Sequence, residues 1–339
     1  MDIGRSHPER TPRTAPASRP ARPTRPARTT PARTAAALLA ATLTAALLAG
    51  CATTPRAGAD DAVNGSVKPR THTGPVLAVK IDNAPAARPH TGLDAADVVY
   101  VEPVEGGLSR LMAVYATRLP PVIGPVRSAR QSDLELLRQF DRPVLAFSGA
   151  QRKLHPLIDK APLRAIEPGE VSGAYYRGRS KPAPHNLYLR PGRLVRSAPG
   201  AAALDATGFR FGPAPSGGRA AGSRTVRYPA ARFTFTWSAG RGRWLVAMDG
   251  RAARKAAPAT VVVQYVKVRK SRFHDRLGNH TPYTRTVGSG RATVLRGGRA
   301  YDVVWQRPRA GEGTRFTTRD GRPVNFARGQ VWVVFARAS

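Results

Sequence analysis

Apolar residues fall into three regimes along the chain. From 35 to 50 (AAALLAATLTAALLAG) they run on without a charge. From 76 to 147 they gather in short β-rich runs cut by Pro and Gly: 76–82 (VLAVKID), 97–101 (DVVYV), 111–117 (LMAVYAT), a short piece at 122–126 interrupted by Gly124-Pro125, and 144–147 (VLAF). Such runs predict strands, and Pro85 and Pro89 block a helix directly after the first. Residues 132–140 (SDLELLRQF) predict the clearest helix, with Leu134, Leu137 and Phe140 near one face and Ser132 and Glu135 at capping-box spacing. From Thr225 the period becomes two. The stretches 232–237 (RFTFTW) and 243–248 (RWLVAM) alternate about a Gly-bearing turn, 259–268 (ATVVVQYVKV) is the strongest strand, and 291–295 with 301–305 flank Gly297-Gly298. Strands over 314–318 and 330–336 complete the set. The pattern predicts an α+β protein: a mixed α/β domain over 75–196, an Ala/Gly/Pro/Ser-rich linker over 197–224, and a small all-β domain, sandwich or barrel-like, over 225–339.

Charge changes how the N-terminus reads. The formal net charge is +34, of which residues 1–34 carry +6 through eight arginines against Asp2 and Glu9. This Arg- and Pro-rich stretch cannot bury apolar surface. The uncharged run that follows is short for a membrane-spanning helix of about 20 residues. A basic flank followed by an apolar middle predicts a secretory signal over 1–50. The run ends Leu48-Ala49-Gly50-Cys51, which resembles the lipobox of bacterial lipoproteins. That resemblance implies a diacylglyceryl anchor on Cys51 and cleavage on its amino side. The polar, Pro/Gly-containing, aperiodic stretch that follows predicts a flexible tether over 51–74. Cys51 is the sole cysteine, so no intrachain disulfide can form. The expected place is therefore the outer face of the cell membrane. A chain this basic attracts polyanions, and outside the cell these are anionic lipids, wall polymers and phosphorylated glycans. Nucleic acid is disfavoured: no recognition motif is present, and the aromatics follow strand alternation.

Several short motifs stand out in order: VKIDN (79–83), RPHTGLDAADVVY (88–100), EGGLSR (105–110), IGPVRSAR (123–130) and APHN (183–186), then GSGRATVLRGGRAYDVVW (288–305) and TRFTTRDGRPVNFARGQVWVV (314–334). Together they resemble the YerB-type bacterial lipoproteins over nearly all of residues 75–336. The resemblance implies a surface lipoprotein with paired N- and C-terminal domains and no established activity, so it supplies no catalytic residue. The chain departs from the family at 147–150 (FSGA) and 251–254 (RAAR).

Three constellations are chemically suggestive. Arg127, Ser128 and Arg130, with Arg110, lie around a Gly-Pro turn and a helix start, where guanidiniums and backbone N–H groups suit an anion. The alternative is ion pairing with Glu102, Glu105 or Asp133. Asp82, Glu102 and Glu105 sit at or near strand ends or turns, where carboxylates serve acid/base or metal work, or else cap turns and pair with arginines. His185-Asn186 follows a proline and offers a general base or a structural hydrogen-bonding group. These define two function classes. One is a non-catalytic envelope protein that binds anions or glycans through Arg110, Arg127, Ser128 and Arg130. The other is an envelope hydrolase or transferase that uses Glu105 or Asp82 with His185. No cofactor is expected. The spacing of His274-Asp275 and Asn279-His280 matches no recognised metal site.

Overall fold

The computed structural model describes residues 74–275 and 278–338. The expected signal peptide, the Cys51 anchor and all but the last residue of the tether lie outside the described residues. In chain order the first strands are β1 (Leu77–Asp82), β2 (Val98–Pro103) and β3 (Ser109–Tyr115), followed by helix α1 (Gln131–Leu137) and β4 (Val144–Ala146). Helix α2 (His155–Asp159), β5 (Arg164–Ile166), β6 (Tyr175–Arg177) and β7 (Leu187–Leu189) come next. After 3-10 turns at 191–193 and 201–207 come β8 (Arg219–Ala220), β9 (Ser223–Tyr228), β10 (Ala231–Ser238), β11 (Arg243–Met248), β12 (Arg251–Ala252), β13 (Thr260–Val266), β14 (Val268–His274) and β15 (His280–Thr284). The last four are β16 (Gly288–Arg296), β17 (Arg299–Arg307), β18 (Arg315–Thr317) and β19 (Val331–Arg337). Among the described residues no helix is long and apolar enough to cross a membrane.

Both halves of the chain contribute to one sheet of eleven strands, in the order β18-β17-β16-β13-β19-β2-β3-β1-β4-β5, with β8 added on β17. Strand β19 lies between β13 and β2 and is parallel to both. The central strands are buried on both faces, which is why 261–263 and 331–335 read as unbroken apolar runs instead of alternating ones. One face packs against a four-stranded sheet, β12-β11-β10-β9. Phe233 and Phe235 of β10 meet the Trp332 ring edge-on, with centroids 6.5 and 6.0 Å away. Here β10 is buried on one side only, so its alternating RFTFTW pattern predicts its exposure well. The other face is covered by Leu136 and Leu137 of α1, Ile158 of α2, and the rings of Phe209, Phe316 and Phe326.

The molecule is mostly β, and an N-terminal α/β domain is not clearly present. Among the described residues the two α-helices are seven and five residues long. Single 3-10 turns at 85–87 and 93–95 make the crossover from β1 to β2 instead, because Pro85, Pro89 and Gly92 interrupt any longer helix, and a third at 105–107 turns β2 back into the antiparallel β3. The 197–224 segment is packed: Phe209 is buried against Phe316 and Phe326 at 5.9 and 5.0 Å. Helix α1 also begins differently from its capping-box reading. Asp133 accepts the Arg130 backbone N–H at 2.6 Å. Ser132 Oγ instead accepts from Thr284 N at 2.9 Å, and Glu135 accepts from Tyr283, Thr286 and Val287. Those two side chains join the helix to the C-terminal half.

Candidate functional site

The site is assembled by one extended segment, 123–127, that bridges β1 and β7. Ile123 N–H and Val126 N–H donate to Leu189 O and Leu187 O, while Asp82 N–H donates to Pro125 O and Arg127 N–H to Lys80 O. The approach requires glycine at 124: its φ is +155°, and a Cβ there would lie 2.9 Å from Leu187 O and from the Tyr188 ring. This docking brings three distant residues together: Asp82 at the end of β1, Arg127 at the end of the segment, and His185 just before β7.

Asp82 is the centre of the group and is 3 % exposed. Its Oδ2 accepts from His185 Nδ1 at 2.8 Å and faces Arg127 Nε at 3.4 Å, while Oδ1 accepts from Ala84 N–H at 3.1 Å. A carboxylate on Nδ1 fixes the ring so that His185 Nε2 carries the lone pair in the neutral form. His185 and Arg127 remain partly open to solvent. On the other side of the strand end, His90 Nε2 meets Asp82 O at 2.9 Å. Burial, then Arg88 and Lys181, hold His90 down to about 4, so it is neutral and donates from Nε2.

The register places Arg110 of β3 opposite Asp82 of β1 on one side and Glu102 of β2 on the other. Alternation puts all three on the sheet face that carries α1. Arg110 donates to Ser128 O at 3.1 Å, and among the described residues no carboxylate lies within ion-pair distance of it. Burial, and then the charges of Arg130 and Arg127, lower its pKa against the opposing pull of Glu105 and Asp82.

Two further groups adjoin this row. Arg130 forks onto Glu105 at 2.6 and 2.8 Å, and the Thr281 hydroxyl donates to the same carboxylate. Burial alone would raise Glu105, but Arg130 and Thr281 hold it below the usual carboxylate range. Deeper, Lys80 Nζ lies 2.9 Å from Glu102 Oε2 and 2.6 Å from Asp133 Oδ1, with all three side chains essentially sealed from solvent. Burial, and then the Asp133 charge, push Glu102 up to about 8 against the pull of Lys80.

The structure thus brings Asp82, His185 and Arg127 into contact, and sets Arg110 between that group and the Arg130–Glu105 pair. Ser128 contributes a backbone carbonyl to Arg110. Sequence reasoning passed over Lys80, whose signal is a lone lysine inside an otherwise apolar strand. His274 and His280 each meet a backbone carbonyl, of Asp275 and Ser271, and no cluster of three metal-ligating side chains exists among the described residues.

A two-part chain built on this plan defines its class. The model described as "Protein of unknown function (DUF3048) N-terminal domain" matches residues 64–205, and its "C-terminal domain" counterpart matches 224–333. The chain belongs to the DUF3048 family, as its motifs imply. Among curated proteins it is similar to "Putative lipoprotein YerB" of Bacillus subtilis (strain 168), with 31% identity over 123 residues. That alignment spans 36% of this chain and 37% of the relative, so the match reaches well under half of either. Among solved structures it is similar to the crystal structure of the YerB protein from Bacillus subtilis. The TM-score is 0.63 at 18% identity, covering 78% of this chain and 91% of that one, a likeness of fold.

Proposed function

We propose that the protein is a lipid-anchored receptor on the outer face of the cell membrane that binds anionic glycans or phosphorylated wall polymers through Arg110 and Arg127, with His185 at the rim. The anchoring part is supported by the apolar run that ends at Cys51 and by the name of the Bacillus relative. The binding part rests on Arg110, a half-buried guanidinium beside Arg130 and Arg127 with one backbone hydrogen bond; Glu105 and Asp82 lie nearby, but among the described residues no carboxylate is within ion-pair distance of it. Guanidiniums recognise phosphate and carboxylate through paired N–H donors. Arg130 belongs to the frame of the site, since Glu105 already holds it.

The test is titration of the chain from Val67 onward with purified phosphorylated wall glycan at fixed ionic strength. Arg110→Ala/Arg127→Ala should weaken binding at least tenfold, about 1.4 kcal/mol. Arg251→Ala/Arg254→Ala, a change of equal charge elsewhere, should leave it nearly intact. Equal loss in both variants would reduce the interaction to net charge and remove the site.

One contact favours the second class. An Asp82–His185 pair with Nε2 available is the orientation of a general base, and Arg127 stands beside it to meet a developing negative charge. A hydrolase or transferase on this basis would lose turnover of a phosphodiester or acyl-glycan substrate in His185→Ala while keeping its affinity.

A further inference from the structure

The buried trio of Lys80, Glu102 and Asp133 has no part in that binding site. Its composition is unusual for a stabilising ion pair. One ammonium faces two carboxyl groups in a place closed to water, and Glu102 Oε1 is buried with no partner. Buried ion pairs of this kind stabilise poorly compared with neutral contents. The three groups come from three separate elements, β1, β2 and α1, and converge on the Lys80 nitrogen at 2.9 and 2.6 Å. That is hydrogen-bond contact between an amine and a carboxyl group, with both reactants held in one buried place.

We propose that Lys80 and Asp133 condense into an intramolecular isopeptide bond, with Glu102 as the acid–base catalyst. Lys80 first passes a proton to Asp133 across their hydrogen bond and becomes a free amine. The Nζ lone pair attacks Asp133 Cγ. Negative charge develops on Oδ2, which already accepts the Arg130 backbone N–H at 2.6 Å. This donor acts as an oxyanion stabiliser, and Oδ2 becomes the amide carbonyl oxygen. The protonated Glu102 carboxyl gives its proton to the departing Oδ1 hydroxyl and takes one from Nζ. One C–N bond forms, one C–O bond breaks, one water leaves, and Glu102 ends as it began. No oxidant or cofactor is needed.

The site suits each requirement. Its burial keeps Glu102 in the acid form near neutral pH, favours neutral products over the charged reactants, and excludes the bulk water that would reverse the step. The product also fits what surrounds it. The new amide N–H faces Glu102 Oε2, and the new carbonyl keeps its hydrogen bond from Arg130. The link would staple β1 to α1, in a protein whose single cysteine rules out an intrachain disulfide.

Tryptic digestion and mass spectrometry of the folded full-length protein decide the matter. The expected result is a branched product in which Lys80 is not cleaved and is joined to peptide 131–138, with the combined mass lower by one water. In Asp133→Asn the same bond forms with loss of ammonia instead. Glu102→Gln should leave both peptides linear in a chain that still shows the parent circular dichroism. Separate linear peptides of full mass from the folded parent protein would overturn the proposal and leave the trio as a charged pairing. A Glu102→Gln protein that cross-links as completely as the parent would overturn the role given to Glu102.

Discussion

Replacing Arg307 with leucine tests how the two halves of the chain are held together. Arg307 ends β17 and is fully buried. Its guanidinium donates to Glu135 O at 3.0 Å and Leu136 O at 3.1 Å, which are carbonyls of α1, and to Ala310 O at 2.6 Å, Glu312 O at 2.8 Å and Thr286 Oγ1 at 2.8 Å. Five acceptors from three segments therefore converge on one side chain. Removing it strands several buried oxygens, each costing about 1–3 kcal/mol when left unsatisfied. Removing the buried cation also removes its desolvation cost, which offsets part of that loss. The net expectation is a loss of roughly 3–4 kcal/mol, in the upper range for a single substitution. At roughly 2–4 °C per kcal/mol for a chain of this size, the melting temperature should fall by about 6–16 °C. Arg307→Lys should lie between, because an ammonium reaches fewer of the acceptors. Urea unfolding followed by tryptophan fluorescence gives the free energy, and hydrogen exchange should show α1 opening first. A loss below about 1 kcal/mol, or unchanged protection in α1, would refute the reasoning.

Other consequences are direct. Glu105 and Glu135 both have folded pKa values below their unfolded ones, so their contribution is present above the unfolded value and lost as pH falls through the folded one. Acid titration of stability should thus show a falling limb below about pH 4.5, and Glu135→Gln should flatten it. Gly107→Ala should cost about 1–3 kcal/mol in denaturant unfolding, since φ is +70° and the new Cβ would meet Pro229 Cβ at 2.6 Å. Ending the chain at residue 329 removes β19 from the middle of the sheet, so the expected product is an insoluble or molten chain by near-ultraviolet circular dichroism. A soluble, cooperatively unfolding fragment would show that the two halves are independent.

What could be read from the sequence depended on whether a feature was local. Alternation revealed β10 and β11, and the apolar run revealed β13, because a strand's face pattern is a property of adjacent residues. The α/β expectation for the N-terminal half went too far. Doubly buried strands were legible, but the connections between them resolve into single turns whose shape depends on tertiary contacts. At the site, Asp82, His185 and Arg127 were each visible as polar residues next to turns. Their meeting was not, because it depends on segment 123–127 pairing with β1 and β7 at once. Arg130 illustrates the same limit: only three-dimensional proximity assigned it to Glu105 in preference to a ligand.

The position of β19 has a consequence for how the chain reaches its destination. Until residues 331–337 have been made, the facing edges of β2 and β13 have no strand between them, and the large sheet cannot close. Synthesis from the amino end therefore delivers every preceding strand of the sheet before its fold can form. A protein bearing the proposed export segment gains from this delay, because it can be threaded across a membrane as an unfolded chain and set its structure only on the far side.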